Sequence, residues 1–377
     1  MLDSIDIKNY RNLKDLRIES LGRVNLITGK NNTGKSTLLE AIGIYATKGD
    51  LSFIYQLLGD RGENFRQSDI NKNIVEANIK SLSSLFTNRE IKFGVTDAVT
   101  IGDVENTLFR DEKSSTKSVS LRFVNYFEEV QRDNQGSLLS RRRVIVNETD
   151  KELATSKTGI EIKGGSISYI LPLDEDRPYN RVSLKGLGNT ENLQFIRTRN
   201  IEKDVNGRLW DNITLTEKEK YVIEALKIIE PDTERIAFIE ETPRERTTVI
   251  KLSQINSVVP LRSMGDGINR ILTIILALVN ADNGFLLIDE FENGLHHTVQ
   301  EKLWEIIFNL SKKLKIQVFI TTHSEDCIIG FENILNNKNS SFDGRLIRLD
   351  NNNGVIKQVE FDAKELKIAT DNDIEIR

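Results

Sequence analysis

The chain has 377 residues, 38% hydrophobic and 29% charged, with a formal net charge of −5, the balance of an ordinary globular protein. No run of ~18 uncharged apolar residues occurs, so a membrane span is not expected, and the charge balance supplies no positive field to gather nucleic acid. The single cysteine, Cys327, cannot form an internal disulfide and fits a reducing cytoplasm, and the opening MLDSIDIKNYRN has no apolar signal core, so secretion is not expected.

In chain order, residues 2–8 and 16–20 alternate in polarity. Residues 24–28 form a short apolar strand that runs into a glycine-rich loop, and 36–46 read as a largely buried helix. Between 50 and 250 strand-like pieces recur at 90–95, 118–125, 143–147, 160–162 and 167–171, separated by polar turns. Arg141, Arg142 and Arg143 beside the third of these read as a solvated strand edge before a nucleic-acid contact. Residues 216–229 form an amphipathic helix, with Thr216 and Glu219 spaced as a capping box. Strands follow at 235–240 and 247–252.

From 260 onward the pattern sharpens. Residues 268–279 are a nearly all-apolar helix and 285–288 a buried strand. Val299, Leu303, Ile306, Ile307, Leu310 and Leu314 form one helical stripe, 318–320 another buried strand, and 346–349 with 355–361 a hairpin. Strands alternating with helices at both ends predict an α/β core with a P-loop, interrupted by a strand-rich and helical insertion. The expected units are 1–50 and 256–377 for the core and 51–255 for the inserted lobe.

Gly29-Lys30-Asn31-Asn32-Thr33-Gly34-Lys35-Ser36 matches G-x-x-x-x-G-K-[ST]. Such a loop turns backbone N–H groups toward phosphate oxygens at a helix N-terminus. Lys35 is placed to reach the outer phosphates, and Ser36 to offer its hydroxyl to Mg²⁺. Downstream, 285–288 end in Asp289 and Glu290. Two carboxylates at the end of a buried strand are costly unless they serve a cation or a proton. Asp289 suits the metal and Glu290 the attacking water. Residues 319–322 end in His323, one helix further on, where a histidine can meet the terminal phosphate. Ser263-Met264-Gly265-Asp266-Gly267 opens the apolar helix and is a second glycine-rich helix start, weak by itself. His296 and His297 are adjacent and point ~100° apart on a helix, so with Glu292 they do not suggest a zinc site.

The order IKNYRN, GKNNTGKS, SMGDG, LLIDEFENGLHH, FITTHS resembles the ABC-class AAA-type ATPases grouped with the OLD (overcoming lysogenization defect) proteins, with SMC and RecF-like heads as more distant relatives. The resemblance is strong at 1–46 and 255–335 and loose between. It implies an ATP-binding, Mg²⁺-dependent ATPase. Gly29, Asn31, Asn32, Thr33, Gly34, Lys35, Ser36 and Thr37 would hold nucleotide and metal, and Arg11 and Asn12 would lie nearby. Asp289 would bind Mg²⁺, with Glu290 and His323 catalytic. Ser263, Gly265 and Gly267 would be signature contacts made in trans. Glu292, Asn293 and Gly294 would form a D-loop at a homodimer seam. Gln56 and Gln67 are the alternatives for a Q-loop glutamine. The signature reads SMGDG rather than LSGGQ, which disfavours a transporter motor.

OLD relatives often carry a C-terminal TOPRIM nuclease domain. Only about fifty residues follow His323, against ~100 for such a domain, and Asp371-Asn372-Asp373 reads as tail. The expectation is therefore a cytoplasmic, homo-oligomeric ATPase of an anti-phage defence assembly that controls a separately encoded nuclease or toxin. The alternative is a RecF/SMC-like ATPase acting directly on DNA.

Overall fold

The computed structural model describes residues 1–64, 73–93, 95–104, 118–132, 138–146, 156–165, 167–174, 191–198, 205–242, 245–337, 341–372 and 374–376. Three sheets organise them. The first is antiparallel and built on β1 (Ile5–Tyr10), β2 (Leu13–Ile18), β4 (Val99–Gly102), β5 (Ser118–Arg132), β7 (Lys157–Gly164) and β8 (Ile167–Pro172), in the order β2-β1-β4-β5-β7-β8, with β6 (Leu138–Ile145) on the far end of β5. Its strands alternate buried and open positions, as β2 does with Leu13, Leu16 and Ile18 inward.

The second sheet carries the site. Its order is β16-β15-β3-β14-β13-β9, from β3 (Val24–Thr28), β9 (Leu193–Ile196), β13 (Phe285–Ile288), β14 (Gln317–Thr321), β15 (Gly344–Asn352) and β16 (Val355–Phe361). All neighbours are parallel except the β15–β16 hairpin. β3, β13 and β14 are buried at every position, which is why they read as unbroken apolar runs rather than alternating ones. A third, three-stranded sheet joins β10 (Thr233–Thr242), β11 (Glu245–Leu252) and β12 (Val258–Pro260).

Helix α1 (Lys35–Ala46) lies between the first two sheets. Leu38, Leu39 and Ile42 share one core with Ile5, Ile7, Leu121 and Ile160 of the antiparallel sheet and with Phe285, Leu287 and Phe319 of the parallel one. α2 (Leu51–Asp60) and α3 (Ile74–Ser83) flank it. The opposite face of the parallel sheet is covered by α6 (Asp266–Asn280), α7 (His297–Lys313) and α8 (Glu325–Leu335), with α4 (Val205–Asp211) and α5 (Lys218–Ile229) packed outside α6; α9 (Ala363–Asp371) follows β16. The order of layers is sheet, helix, sheet, helices, a mixed α/β architecture. Among the described residues no helix is long and apolar enough to cross a membrane.

Several expectations need correction. Residues 90–93 are not a strand, and 95–97 form a 3₁₀ turn; the strand starts at Val99. The chain is re-aimed just upstream, where Asn88 and Arg89 adopt φ of 59° and 58°. Thr216 and Glu219 do not close a capping box. The helix starts at Lys218; the Thr216 hydroxyl accepts from Lys218 N at 3.3 Å, and Glu219 accepts from Leu215 N at 3.2 Å. A reciprocal box is present instead on α9, between Asp362 and Glu365. Residues 51–255 distribute their strands over all three sheets, and β9 lies directly beside β13 in the parallel one.

Candidate active site

At the carboxyl end of β3 the chain turns through 29–34 into α1. Gly29 has φ 133°, and a Cβ there would sit 2.3 Å from the carbonyl oxygen of Leu349 on β15, so only glycine fits. Gly34, at φ 92°, caps α1. The Thr33 hydroxyl donates to Lys30 O at 2.9 Å. Lys35 is 6% exposed, and its ammonium donates to the carbonyls of Gly29 (2.6 Å) and Lys30 (2.9 Å). Burial pulls its pKa down to about 8, against the opposing attraction of Asp289, Glu292 and Glu290.

The neighbouring strand ends complete the set. Asp289, at the end of β13, accepts at Oδ1 from the Ser36 hydroxyl (3.0 Å) and from the Thr321 hydroxyl at the end of β14 (2.7 Å). The Thr321 hydroxyl in turn accepts from Glu290 N at 2.9 Å. Glu290 has φ 50°, an uncommon conformation for a residue with a side chain. Glu292 accepts from the Thr322 hydroxyl and from His323 N, each at 2.7 Å. Three parallel strands thus deliver a lysine, two acids and a histidine to one edge, the edge where ligands bind in open α/β sheets.

A cavity of about 890 Å³ opens on this edge. Asn31, Asn32, Gly34, Lys35, Ser36 and Thr37 line one wall, Glu290 and His323 another, and Arg11 and Asn12 a third. Gly29 and Thr33 sit behind the wall, both buried. Arg11 is clamped between Glu40 (3.1 Å) and Glu63 (2.7 Å), while Arg61 reaches Glu40 (2.7 Å) and Thr37 (3.4 Å), and Arg89 reaches Glu63 (2.7 Å). The donor set of a hydroxyl and a carboxylate, Ser36 and Asp289, is the hard oxygen chemistry that suits Mg²⁺.

The expected trans elements lie apart from this cavity. Ser263 is exposed, its hydroxyl donating to Pro260 O at 2.7 Å, and Gly265 has φ 105° with no atom within 4 Å of a would-be Cβ. Gly267 abuts Gly294 O, and Asn293 and Gly294 are exposed. Glu292 faces inward to His323 of its own chain. Gln56 is exposed on α2 and does not line the cavity; Gln67 and Asp373 lie outside the described residues, as does the side chain of Arg141. Arg143 pairs with Glu128 at 3.5 Å. His296 caps α7, accepting at Nδ1 from Thr298 N at 3.4 Å, and among the described residues no group of three His, Cys, Asp or Glu could hold a metal ion.

Sequence reading missed Arg270 and Thr198. Arg270, on α6, donates to the carbonyls of Asp289 (3.2 Å) and Glu290 (3.4 Å), and the Thr198 hydroxyl donates to Asp289 O at 3.3 Å. A lone arginine inside the apolar run 268–279 was the available signal for the first.

Comparison with known proteins finds relatives of this chain. An "ATP/GTP phosphatase" of Helicobacter pylori is 25% identical over 366 residues, 93% of this chain and 92% of its own. The "DNA replication and repair protein RecF" of Magnetococcus marinus is 46% identical over 46 residues, 12% of each chain. A crystal structure of an Smc head bound to the C-winged helix domain of ScpA aligns over 96% of this chain and 98% of its own, with a TM-score of 0.49 and 14% identity. Residues 24–327, most of the chain and the strand ends that carry Lys35, Asp289, Glu290 and His323, match the family model described as "AAA domain, putative AbiEii toxin, Type IV TA system", and the chain belongs to that AAA-domain family.

Proposed function

We propose that this chain binds ATP in the cavity above β3, β13 and β14 and hydrolyses it. The observation that carries the reading is the 3.0 Å contact between Ser36 and Asp289, residues 253 apart in sequence, beside Lys35 and with Glu290 and His323 on the same cavity. The amides of 31–36 and the start of α1 receive the phosphates, and Lys35 neutralises the outer ones. Mg²⁺, held by Ser36 and Asp289, would supply further charge neutralisation on the phosphate oxygens. Glu290 takes the proton of the attacking water, and His323, held by Glu292 through its backbone, faces the terminal phosphate.

Two copies, in this reading, close head to head, each presenting Ser263, Gly265 and Gly267 to the other's nucleotide, with Asn293 and Gly294 at the seam. The exposure of Ser263, Gly265, Asn293 and Gly294 outside the cavity supports that arrangement. The resemblance of the motif order to OLD-type ATPases supports a role as the ATPase subunit of a prokaryotic anti-phage assembly that governs a separately encoded effector; the family description, which names a putative toxin of a type IV toxin–antitoxin system, speaks only for a setting with a toxic activity.

ATP turnover and binding by the wild type, Lys35→Ala and Glu290→Gln test the site. Glu290→Gln is expected to lower kcat by about 10²–10⁴-fold with ATP still bound, and Lys35→Ala to weaken ATP binding by about 10–100-fold. Equal turnover in Glu290→Gln would refute its role. The native mass with and without ATP tests the dimer, and co-purification with operon neighbours tests the effector; absence of any nuclease or toxin partner sinks the defence setting.

The short RecF match favours one second reading, an ATPase acting directly on DNA. DNA-stimulated turnover with affinity falling steeply as salt rises would establish it, and absence of salt-sensitive binding would remove it.

A further inference from the structure

Arg270 sits in the second turn of α6, the one charged residue in the largely apolar run 268–279, and is 8% exposed. Its Nη2 donates to two main-chain oxygens, Asp289 O at 3.2 Å and Glu290 O at 3.4 Å. Its buried Nε has no hydrogen-bond partner among the described residues. Burial pushes the guanidinium pKa down, against the attraction of Asp289, Glu290 and Glu292. Leucine or methionine would fill the same space without desolvating a cation, so packing gives no reason for an arginine here.

One turn earlier on the same helix, Gly267 lies so close to Gly294 that a Cβ would stand 3.0 Å from its carbonyl oxygen. The start of α6 therefore touches both ends of the segment 289–294, which carries Glu290 and Glu292. The same helix begins at the exposed loop of Ser263 and Gly265. Glu290, one of the two residues Arg270 holds, stands at φ 50°, a backbone joint that stays in place only while its surroundings hold it.

We infer that Arg270 is a positioning residue that couples the loop at Ser263–Gly265 to the catalytic turn of its own chain. The inference rests on the reading above, in which that loop meets the nucleotide of a second copy. Seating of that nucleotide tilts α6; Arg270 carries the tilt to the carbonyls of Asp289 and Glu290 and sets the Glu290 carboxylate toward its water. Each site then fires only when the other is filled, so hydrolysis is cooperative in ATP.

The test uses the full chain as wild type, Arg270→Lys and Arg270→Gln. Turnover against ATP concentration gives kcat and the Hill coefficient, and titration with a fluorescent ATP analogue gives Kd. The wild type is expected to show a Hill coefficient above unity. Both variants are expected to keep Kd while kcat falls about tenfold and the Hill coefficient drops to unity. Lysine keeps the charge but not the planar guanidinium that holds Nη2 at both carbonyls, so it is expected not to rescue. If the glutamine variant fails to fold, the lysine variant decides. Wild-type kcat and Hill coefficient in the variants would overturn the inference, and so would a loss of Kd in step with kcat, the mark of a merely structural role. A wild type that hydrolyses ATP without cooperativity overturns it and leaves the ATPase reading standing; one that hydrolyses no ATP removes both.

Discussion

The loops that open α1 and α6 both end in a glycine at positive φ, Gly34 at 92° and Gly265 at 105°, and both begin helices that pack on the parallel sheet, one on each face. The first is walled in. β15 presses on Gly29, Thr33 is bonded within the loop, and Lys35 and Ser36 are bonded to carbonyls and to Asp289. The second faces open space, and its serine bonds only back to Pro260 among the described residues. One helix start is finished by its own chain; the other has the form of a surface finished from outside. Two glycine-capped helix starts are set apart by what the rest of the fold packs against them.

Three measurements press on that contrast. The largest effect is expected for Gly29→Ala, where an added Cβ meets a backbone oxygen and a φ that alanine avoids. It should destabilise the protein by about 3 kcal/mol or more, read as a lower urea midpoint, with loss of ATP binding. A midpoint equal to the wild type would mean the wall behind the loop yields easily.

The next is pH. The Lys35 pKa of about 8 lies below its ordinary 10.5. Between those values the unfolded chain binds the extra proton, so the contribution of Lys35 to stability rises with pH across that window. Phosphate binding needs the charged form, so ATP affinity should fall as pH rises through about 8, approaching about tenfold per unit beyond it. Opposite slopes for nucleotide-free stability and ATP affinity check both signs at once; parallel slopes would contradict the buried lysine.

The smallest stability effect is expected for Ser263→Ala, within about 0.5 kcal/mol because the side chain is exposed. Its ATP-dependent assembly and turnover should nevertheless drop. Unchanged assembly would return the second loop to the status of a plain helix cap.

What was legible in advance follows from how local each signal is. The phosphate loop lies within eight consecutive residues, and the strand before Asp289 is four apolar residues in a row, so both announce themselves. β9 does not. Leu193, Gln194 and Phe195 are only half-buried at the rim of the sheet, and a four-residue strand of mixed polarity has no period to read. Residues 90–93 have strand composition, but the turn at Asn88 and Arg89 sends Ile91 against the core without a ladder partner among the described residues. The resemblance puts Glu292 at a dimer seam together with Asn293 and Gly294; its carboxylate bonds Thr322 and His323 of its own chain, which only the juxtaposition of β13 with β14 reveals. Arg270 was hidden for the same reason, since its partners are main-chain oxygens and carry no residue identity.

The position of β3 between β14 and β15 sets a timetable for synthesis. Val24 is in register with Val318 on one side and Gly344 on the other. A ribosome-bound chain halted before β14 already displays the whole phosphate loop, yet the strand feeding it has neither neighbour and the loop has no wall. Sealing those pairings is long-range and slow to nucleate. The wall that Leu349 puts behind Gly29 is therefore complete only once β15 has been made and paired.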